Sequence, residues 1–206
     1  MEMVSMRNSK ADDVLRGART IFLRCGFEGA SVDAIAEEAN VSKATLYAHS
    51  PSKERLFLIV VDTECARLSA AISRPLPKDL DPRAILEELS RRLINLVLDD
   101  DYIRLLRACI GAVSVLPEAG EIYMKAGPKL ATRHVGQVLH ALHDAKALNV
   151  EDHLSAAGQL IHLSVSGVIM PRLLTLDPKI DVSDHAKRAV DAFLKIYSDI
   201  GQPRAT

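Results

Sequence analysis

Apolar residues recur at steps of three and four along most of this chain, and that spacing constrains its fold more than any other feature. Residues spaced in this way lie on one face of an α-helix. The first such stripe begins near Ala11. Val and Ile rarely alternate with polar residues over strand-length runs. We therefore predict an all-α protein of about nine helices.

Capping residues mark where the predicted helices begin and end. Gly26 ends the first helix as a left-handed cap, and Ser31 and Ser42 each cap the N-terminus of a short helix. Asn40, between those two helices, tolerates the positive φ of a tight turn. The later helices are expected over about 52–73, 82–98, 99–116, 129–146, 152–176 and 183–200, with a kink at Pro171.

Composition excludes several classes of protein. No run of about 18 uncharged apolar residues is present, and the N-terminus lacks an apolar signal core. The cysteines Cys25, Cys65 and Cys109 are odd in number and widely spaced, so we expect reduced, buried and inert thiols. Together these features predict a cytoplasmic protein without a membrane span. The net charge of −1 does not indicate a nucleic-acid binder, so such a role needs a local site.

Residues 31–53 predict such a site. Two short helices joined by a tight turn form a helix-turn-helix. Ala36 is small where the two helices would cross, and Val41 and Leu46 would fill the wedge between them. The capped N-terminus of the second helix directs its backbone amides outward, where they suit a phosphate or a base edge. Lys43, Thr45 and Tyr47 would then enter a major groove.

The charge of this region leaves a second interpretation open. Residues 1–55 contain eight Lys/Arg and eight Asp/Glu. Because phosphate neutralisation supplies much of the affinity for DNA, this balance favours a helix-turn-helix that binds a protein partner instead. Adjacent carboxylates such as Glu37 and Glu38 point about 100° apart on a helix and do not converge, so we expect no enzyme. We also expect no cofactor and no metal.

The N-terminal quarter of the chain closely resembles the DNA-binding domain of the tetracycline-repressor (TetR) family. More weakly, residues 105–128 (LLRACIGAVSVLPEAGEIYMKAGP) resemble the C-terminal domain of AefR-type members of that family. The stronger resemblance lies in Phe22, Gly26-Phe27, Ser31-Val32-Asp33-Ala34-Ile35-Ala36, Val41-Ser42-Lys43-Ala44-Thr45-Leu46-Tyr47-Ala48-His49, Ser52-Lys53-Glu54 and Leu56-Phe57.

The resemblance implies a transcriptional regulator, in most cases a repressor, that binds double-stranded DNA. It implies a DNA-binding domain over residues 1–55 and a helical effector-binding and dimerisation domain over 56–206. Two positions depart from the family pattern: Asn40 replaces a glycine, and Ser50 replaces an aromatic residue that packs between helices one and four. The DNA-contacting residues implied are Ser31, Ser42, Lys43, Thr45, Tyr47, His49 and Lys53.

Three apolar stripes, over residues 85–97, 105–113 and 135–142, form either a plain core or, as the resemblance implies, the wall of a cavity for a small effector. Because few polar groups lie beside these stripes, we expect a largely apolar ligand, and aromatic molecules belong to this class. The candidate effector residues are Glu64, Leu89, Leu93, Leu106, Arg107, Cys109, Val113, His134, Val138 and His162.

The last two predicted helices are rich in small residues, and such helices pack closely. They serve as intrachain core or, as the resemblance implies, dock against a second copy as a four-helix bundle. A homodimer carries two recognition helices and fits a palindromic operator. The candidate interface residues are Ala157, Ile161, Ser164, Val168, Ala189, Phe193 and Tyr197.

Overall fold

The computed structural model describes residues 2–77 and 80–197, which form eleven helices and no strand. The all-α prediction is therefore confirmed for this part of the chain. None of these helices is long and apolar enough to cross a membrane. The helices are α1 (Glu2–Gly29), α2 (Val32–Glu38), α3 (Lys43–His49), α4 (Lys53–Ile72), α5 (Pro82–Leu98), α6 (Asp100–Ala112), α7 (Glu118–Ala126), α8 (Pro128–Asp144), α9 (His153–Val165), α10 (Ile169–Leu173) and α11 (Val182–Tyr197).

The helices group into two compact units. Among the described residues, the first contains 2–67 and 100–126, and the second contains 68–77, 80–99 and 127–197. The family resemblance instead implies a boundary at residue 55. The difference arises because α6 packs along α1 inside the first unit, which a division by sequence position does not anticipate.

The first unit is built on the predicted stripe of α1, whose members Val14, Ala18 and Ile21 are buried. Three aromatic rings close the core. The ring of Phe22 lies 5.0 Å from that of Phe57, and the ring of Phe57 lies 5.2 Å from that of Phe27. Aromatic pairs at these separations stabilise beyond their buried area, so this cluster anchors α1 to α4.

Turn residues of the first unit take the predicted backbone conformations. Gly26 has a φ of +71°, and α1 kinks there before it ends at Gly29. Asn40 has a φ of +52° in the turn between α2 and α3. Ser50 is buried, and its hydroxyl donates to the carbonyl oxygen of Ser52 at 3.1 Å. The polar side chain that replaces an aromatic here is therefore satisfied by a local hydrogen bond.

The second unit has its own apolar core, formed by α5, α8, α9 and α11. Leu86, Leu89, Val135, Leu139 and Leu160 lie in it with no accessible surface. Arg92 of α5 donates to the carbonyl oxygens of residues 72 and 75, each at 3.3 Å. These bonds satisfy the last carbonyl of α4 and a carbonyl of the connector that follows it.

Several helix boundaries differ from the predictions. Helix α6 ends at Ala112, four residues early. The predicted helix 152–176 is broken between Val165 and Ile169, where Gly167 has a φ of +72°. The kink predicted at Pro171 is therefore misplaced: the proline ring excludes the carbonyl of the residue four positions earlier, and that residue is Gly167. Residues 198–200, expected to end the last helix, lie outside the described residues.

Candidate nucleic-acid interface

Helices α2 and α3 are both capped by serine side chains. The Ser31 hydroxyl accepts from the backbone amide of Ala34 at 3.1 Å, and the Ser42 hydroxyl accepts from that of Thr45 at 3.1 Å. The Ser42 and Thr45 hydroxyls also share a hydrogen bond of 2.9 Å. The two predicted caps are confirmed. Because these hydroxyls hold the first turns of α2 and α3, a DNA contact by either serine would be made by groups already fixed in place.

Helix α3 has a buried face and an exposed face. Leu46 has no accessible surface, whereas Lys43 and Tyr47 are exposed, the latter by 49%. Thr45 and His49 are half-buried. About half of Tyr47 is therefore open to solvent on a short helix, and α3 presents Lys43 and Tyr47 as groups available to a partner.

The ammonium of Lys43 forms an ion pair with the carboxylate of Asp33 on α2. Both side chains are largely exposed, so the pair contributes little to stability. Its effect is electrostatic, because it neutralises one of the two lysines that flank α3. DNA binding would therefore have to compete with Asp33 for Lys43.

Lys53 has a different environment from the one predicted. Its ammonium donates to the carbonyl oxygens of Phe27 and Ala30 at 3.0 and 3.1 Å, and it lies 4.4 Å from the centre of the Phe27 ring. These contacts satisfy two carbonyls at the end of α1 and stabilise the cation. Two of the three ammonium protons are used in this way, so in this conformation Lys53 ties α4 to the end of α1.

A cluster of four charged residues joins helices α1, α4 and α6. The carboxylate of Glu64, only 4% exposed, lies 2.8 Å from the Arg19 guanidinium and 2.9 Å from that of Arg67. Asp101 contacts the same two arginines. Burial acts to lower the pKa of Arg19, but its hydrogen bonds to Glu64 and Asp101 and their charges raise it above its usual value.

This cluster was missed by the sequence analysis, which places Glu64 in an apolar effector cavity. The spacing of Glu64 and Arg67, three residues apart on one helix, is a weak signal for part of it. The contacts of Arg19 and Asp101, 82 residues apart in the chain, leave no signal in a single sequence. Glu64 is therefore a structural carboxylate in this conformation.

The other effector candidates of the first unit have varied environments. Cys109 is buried, Leu106 and Arg107 are half-buried, and Val113 is exposed. Burial raises the pKa of the Cys109 thiol to about 12, so the thiol stays protonated at neutral pH.

The remaining cysteines differ from each other. Burial also raises the pKa of Cys65 to about 12, whereas Cys25 is exposed, contrary to expectation. A further group went unpredicted: the hydroxyl of Tyr123 donates to that of Tyr102 at 2.9 Å. Burial raises the pKa of both phenols, so both stay neutral.

In the second unit, several polar atoms are buried without a hydrogen-bond partner among the described residues, and two of them lie on α5 and α8. These two are the Ser90 hydroxyl and Nε2 of His134, respectively. Burial and, secondarily, the charge of Arg92 lower the pKa of His134. Leu93 and Ala131 lie one helical turn from these residues and pack together in one apolar cluster. His134 is one of the candidate effector residues expected from the sequence, and Ser90 is not.

The last effector candidates lie outside that cluster. Leu89 is buried in the main core, and Val138 packs against it half-buried. His162 is exposed, and its Nδ1 lies 2.6 Å from the carbonyl oxygen of residue 158. The histidine is therefore engaged by its own helix.

The predicted interface residues lie mostly in the core of the second unit. Ile161 is half-buried, and so is Tyr197, whose hydroxyl donates to Oε1 of Gln159 at 2.7 Å. Five side chains are already covered by their own chain and offer a partner no surface in this conformation: Ala157, Ser164, Val168, Ala189 and Phe193.

The chain is similar in structure and in sequence to known transcriptional regulators. The flavonoid-responsive regulator FrrA, a solved structure, is 30% identical, with a TM-score of 0.77 over 95% of this chain and 98% of its own. The transcriptional repressor AcnR of Corynebacterium efficiens is 34% identical over 61 residues, 30% of this chain and 32% of AcnR. The transcriptional activator FasR of Mycolicibacterium smegmatis is 28% identical over 107 residues, 47% of this chain and 49% of FasR. The chain thus spans about a third to a half of these two curated relatives.

Two family models match. Residues 14–60 match the model of bacterial regulatory proteins of the tetR family. Residues 84–199, more than half of the chain, match the C-terminal domain of AefR-like transcriptional repressors. Regulators of this family bind DNA and act as dimers. The chain belongs to the TetR family of bacterial transcriptional regulators.

Proposed function

We propose that this protein is a homodimeric repressor that binds a palindromic operator and is released by a small, largely apolar effector. Residues 1–55 would contact DNA, and residues 56–206 would bind the effector and the second copy. The exposed Lys43 and Tyr47 on the capped helix α3 carry this proposal. Such a regulator acts on DNA in the cytoplasm, and no catalytic step is proposed.

The chemistry of α3 suits a major groove. Its N-terminal amides carry partial positive charge, Lys43 adds a full charge beside them, and Tyr47 offers a ring and a hydroxyl to base edges. Half-buried Thr45 and His49 would line the edges of this contact. Repression is the proposed direction because the model that matches residues 84–199 describes repressors.

Dimerisation would supply two copies of α3. In the second unit, three large apolar side chains are exposed within seven residues: Met170, Leu174 and Leu176. Exposed apolar side chains concentrated in this way mark an interaction site. We propose that they contribute to the self-interface, in continuity with the half-buried Ile161 and Tyr197.

The effector would bind beside Ser90 and His134. A buried polar atom without a partner costs free energy, and a ligand that supplies a hydrogen bond recovers it. The surrounding side chains, including Leu93 and Ala131, are apolar. The name of FrrA states that it responds to flavonoids, and we propose an aromatic ligand of that kind for this protein.

The DNA proposal is tested by fluorescence anisotropy with a labelled duplex from upstream of the protein's own gene. The double variant Lys43→Ala/Tyr47→Ala is expected to bind at least tenfold more weakly than wild type. Lys187→Ala, an exposed lysine on α11, is the control and is expected to bind normally. Equal binding by all three proteins would contradict the proposal.

A specific observation supports the alternative interaction module: eight basic residues are balanced by eight acidic ones over residues 1–55, and Lys43 is neutralised by Asp33. A module of that kind would bind the duplex weakly and equally at all sequences. Competition with unlabelled duplexes of scrambled sequence separates the two functions.

The effector proposal is tested on the same complex with naringenin, a flavonoid, as the probe. His140 is an exposed histidine on α8, the helix that carries His134, so His140→Leu is the control. Wild type and His140→Leu are expected to release the operator. His134→Leu is expected to keep binding DNA and to need at least tenfold more naringenin. Equal release of both variants would exclude His134 from the site.

A further inference from the structure

A cleft of about 630 Å³ lies between α1 and α6, wholly within the first unit. This volume is in the range that holds a small organic molecule. Leu23 and Ala108, both almost fully buried, contribute apolar surface to the cleft. Neither the helix-turn-helix nor the pair of Ser90 and His134 is part of it. The polar and charged lining residues are Arg19, Thr20, Arg24, Cys25, Asp101, Arg104 and Arg107.

The charge of the lining is strongly positive in a chain whose net charge is −1. Arg19 and Asp101 belong to the cluster with Glu64 and Arg67, where two cations face two carboxylates. The lining contains no acidic residue besides Asp101. The arginines left once this cluster is set aside are Arg24, Arg104 and Arg107.

Two of these arginines lack an ion-pair partner among the described residues. Arg24, near the end of α1, and Arg104, on α6, make no ion pair with any residue in the described ranges. Like charges at one cleft repel each other, and an anion placed between them removes that repulsion. Guanidinium groups also bind carboxylates and phosphates in a bidentate geometry.

We propose that this cleft is a second ligand site, which binds an organic anion: a carboxylate or phosphate group on a short apolar body. The anionic group lies between Arg24 and Arg104, with Arg107 beside it, and the apolar body packs against Leu23 and Ala108. The site differs in chemistry from the apolar effector site, and it holds whether or not the effector proposal does.

Calorimetry on the full-length protein tests the charge requirement. The probes are 1-naphthoate and 1-naphthalenemethanol, which share an aromatic body and differ in the carboxylate. Naphthoate is expected to bind at least tenfold more tightly than the alcohol and to weaken between 50 and 300 mM NaCl, because salt screens an open site. Inorganic pyrophosphate serves as a probe without an apolar body and is expected to bind more weakly than naphthoate.

Substitutions then locate the site. The double variant Arg24→Gln/Arg104→Gln is expected to lose naphthoate affinity at least tenfold. Arg133→Gln, an exposed arginine on α8 without an ion pair in the described part of the chain, is the control and keeps wild-type affinity. Absence of naphthoate binding by wild type, or equal binding by both variants, would overturn the proposal.

Cys25 gives an independent readout, since it lines the cleft and is exposed while Cys65 and Cys109 are buried. Saturating naphthoate is expected to slow alkylation of Cys25 by neutral iodoacetamide severalfold in wild type and in Arg133→Gln. The double variant is expected to show no protection at the same concentration. An unprotected Cys25 in the wild-type complex would place the anion elsewhere.

The arginines could instead contact the operator backbone. In that case the double variant would bind DNA with a smaller salt dependence, and naphthoate would neither bind nor protect Cys25. That combination would contradict the ligand site. Unchanged DNA binding together with lost naphthoate binding supports it.

Discussion

At the scale of single residues, the carboxylate of Asp33 offsets the positive charge of Lys43 on α3. The two groups form an ion pair, and both side chains are exposed. We predict that Asp33→Asn binds operator DNA a few fold more tightly than wild type, with a salt slope steeper by about one, because Lys43 becomes free for phosphate and a repelling carboxylate is lost. Anisotropy titrations at several salt concentrations measure both quantities.

The control for this prediction is Glu37→Gln, which removes another exposed carboxylate of α2. Unlike Asp33, Glu37 does not pair with Lys43. The control variant is expected to change the salt slope less. If Asp33→Asn binds DNA like wild type, the ion pair has no part in setting the charge of α3, and Lys43 contacts DNA without competition.

Lys53 is a second residue whose contacts within the protein bear on the proposed DNA interface. We predict that Lys53→Met, which keeps the apolar stem, lowers the free energy of unfolding by about 1–3 kcal/mol, because two carbonyls lose a charged donor. Thermal and urea denaturation measure this loss. A phosphate-binding lysine would behave in the opposite way: the melting temperature would stay constant while the salt slope of DNA binding fell by about one.

At the scale of helices, the packing of α1 on α2 depends on Gly17. A Cβ atom at this position would lie 2.7 Å from the Cβ and the backbone nitrogen of Ala39. We predict that Gly17→Ala destabilises the protein by about 1–3 kcal/mol, although alanine favours a helix, because the backbone at Ala39 cannot move as a flexible side chain would. Urea denaturation followed by circular dichroism measures the change.

Gly111 on α6 gives the matched control, since a Cβ there would meet nothing within 4 Å. Gly111→Ala is expected to leave stability unchanged or to raise it slightly. If both alanine variants are equally stable, the close approach of α1 and α2 is not a constraint on the fold.

The same helices show which features a sequence can predict. Local signals sufficed where one residue type dictates the backbone: Ser31 and Ser42 cap their helices, and Asn40 takes a positive φ. Local signals failed for the break after α9. A proline was visible in the sequence, but the chain relieves its clash at Gly167, four residues earlier. Periodicity alone does not choose between those positions.

At the scale of the whole molecule, burial distinguishes apolar residues of the core from apolar residues at the surface, which the sequence does not. Apolar spacing places Phe193 and Ile196 on the same helix, yet the first has no accessible surface and the second is 49% exposed. Which apolar face meets the chain's own core and which stays free depends on contacts between distant helices. The same limit explains why the ion pairs of Glu64 and the cleft at α6 went unpredicted.

The self-interface is therefore tested at an exposed residue. Leu174 is 63% exposed in the single chain, so a charge there does not disturb the core. We predict that Leu174→Asp is folded but monomeric, because an aspartate in an apolar contact must lose its water without gaining a partner. Multi-angle light scattering gives the mass, and circular dichroism gives the helix content.

Two further variants make the result decisive. Phe193→Asp is expected to unfold the second unit, because it buries a charge in a core without a partner. Ile110→Asp places the same charge at an exposed apolar residue of the first unit and is expected to remain a dimer. A dimeric Leu174→Asp together with a monomeric Ile110→Asp would move the interface to the first unit. Because an operator with two half-sites is bound by two linked copies, the monomeric variant is also expected to bind a palindromic duplex only as weakly as a single half-site.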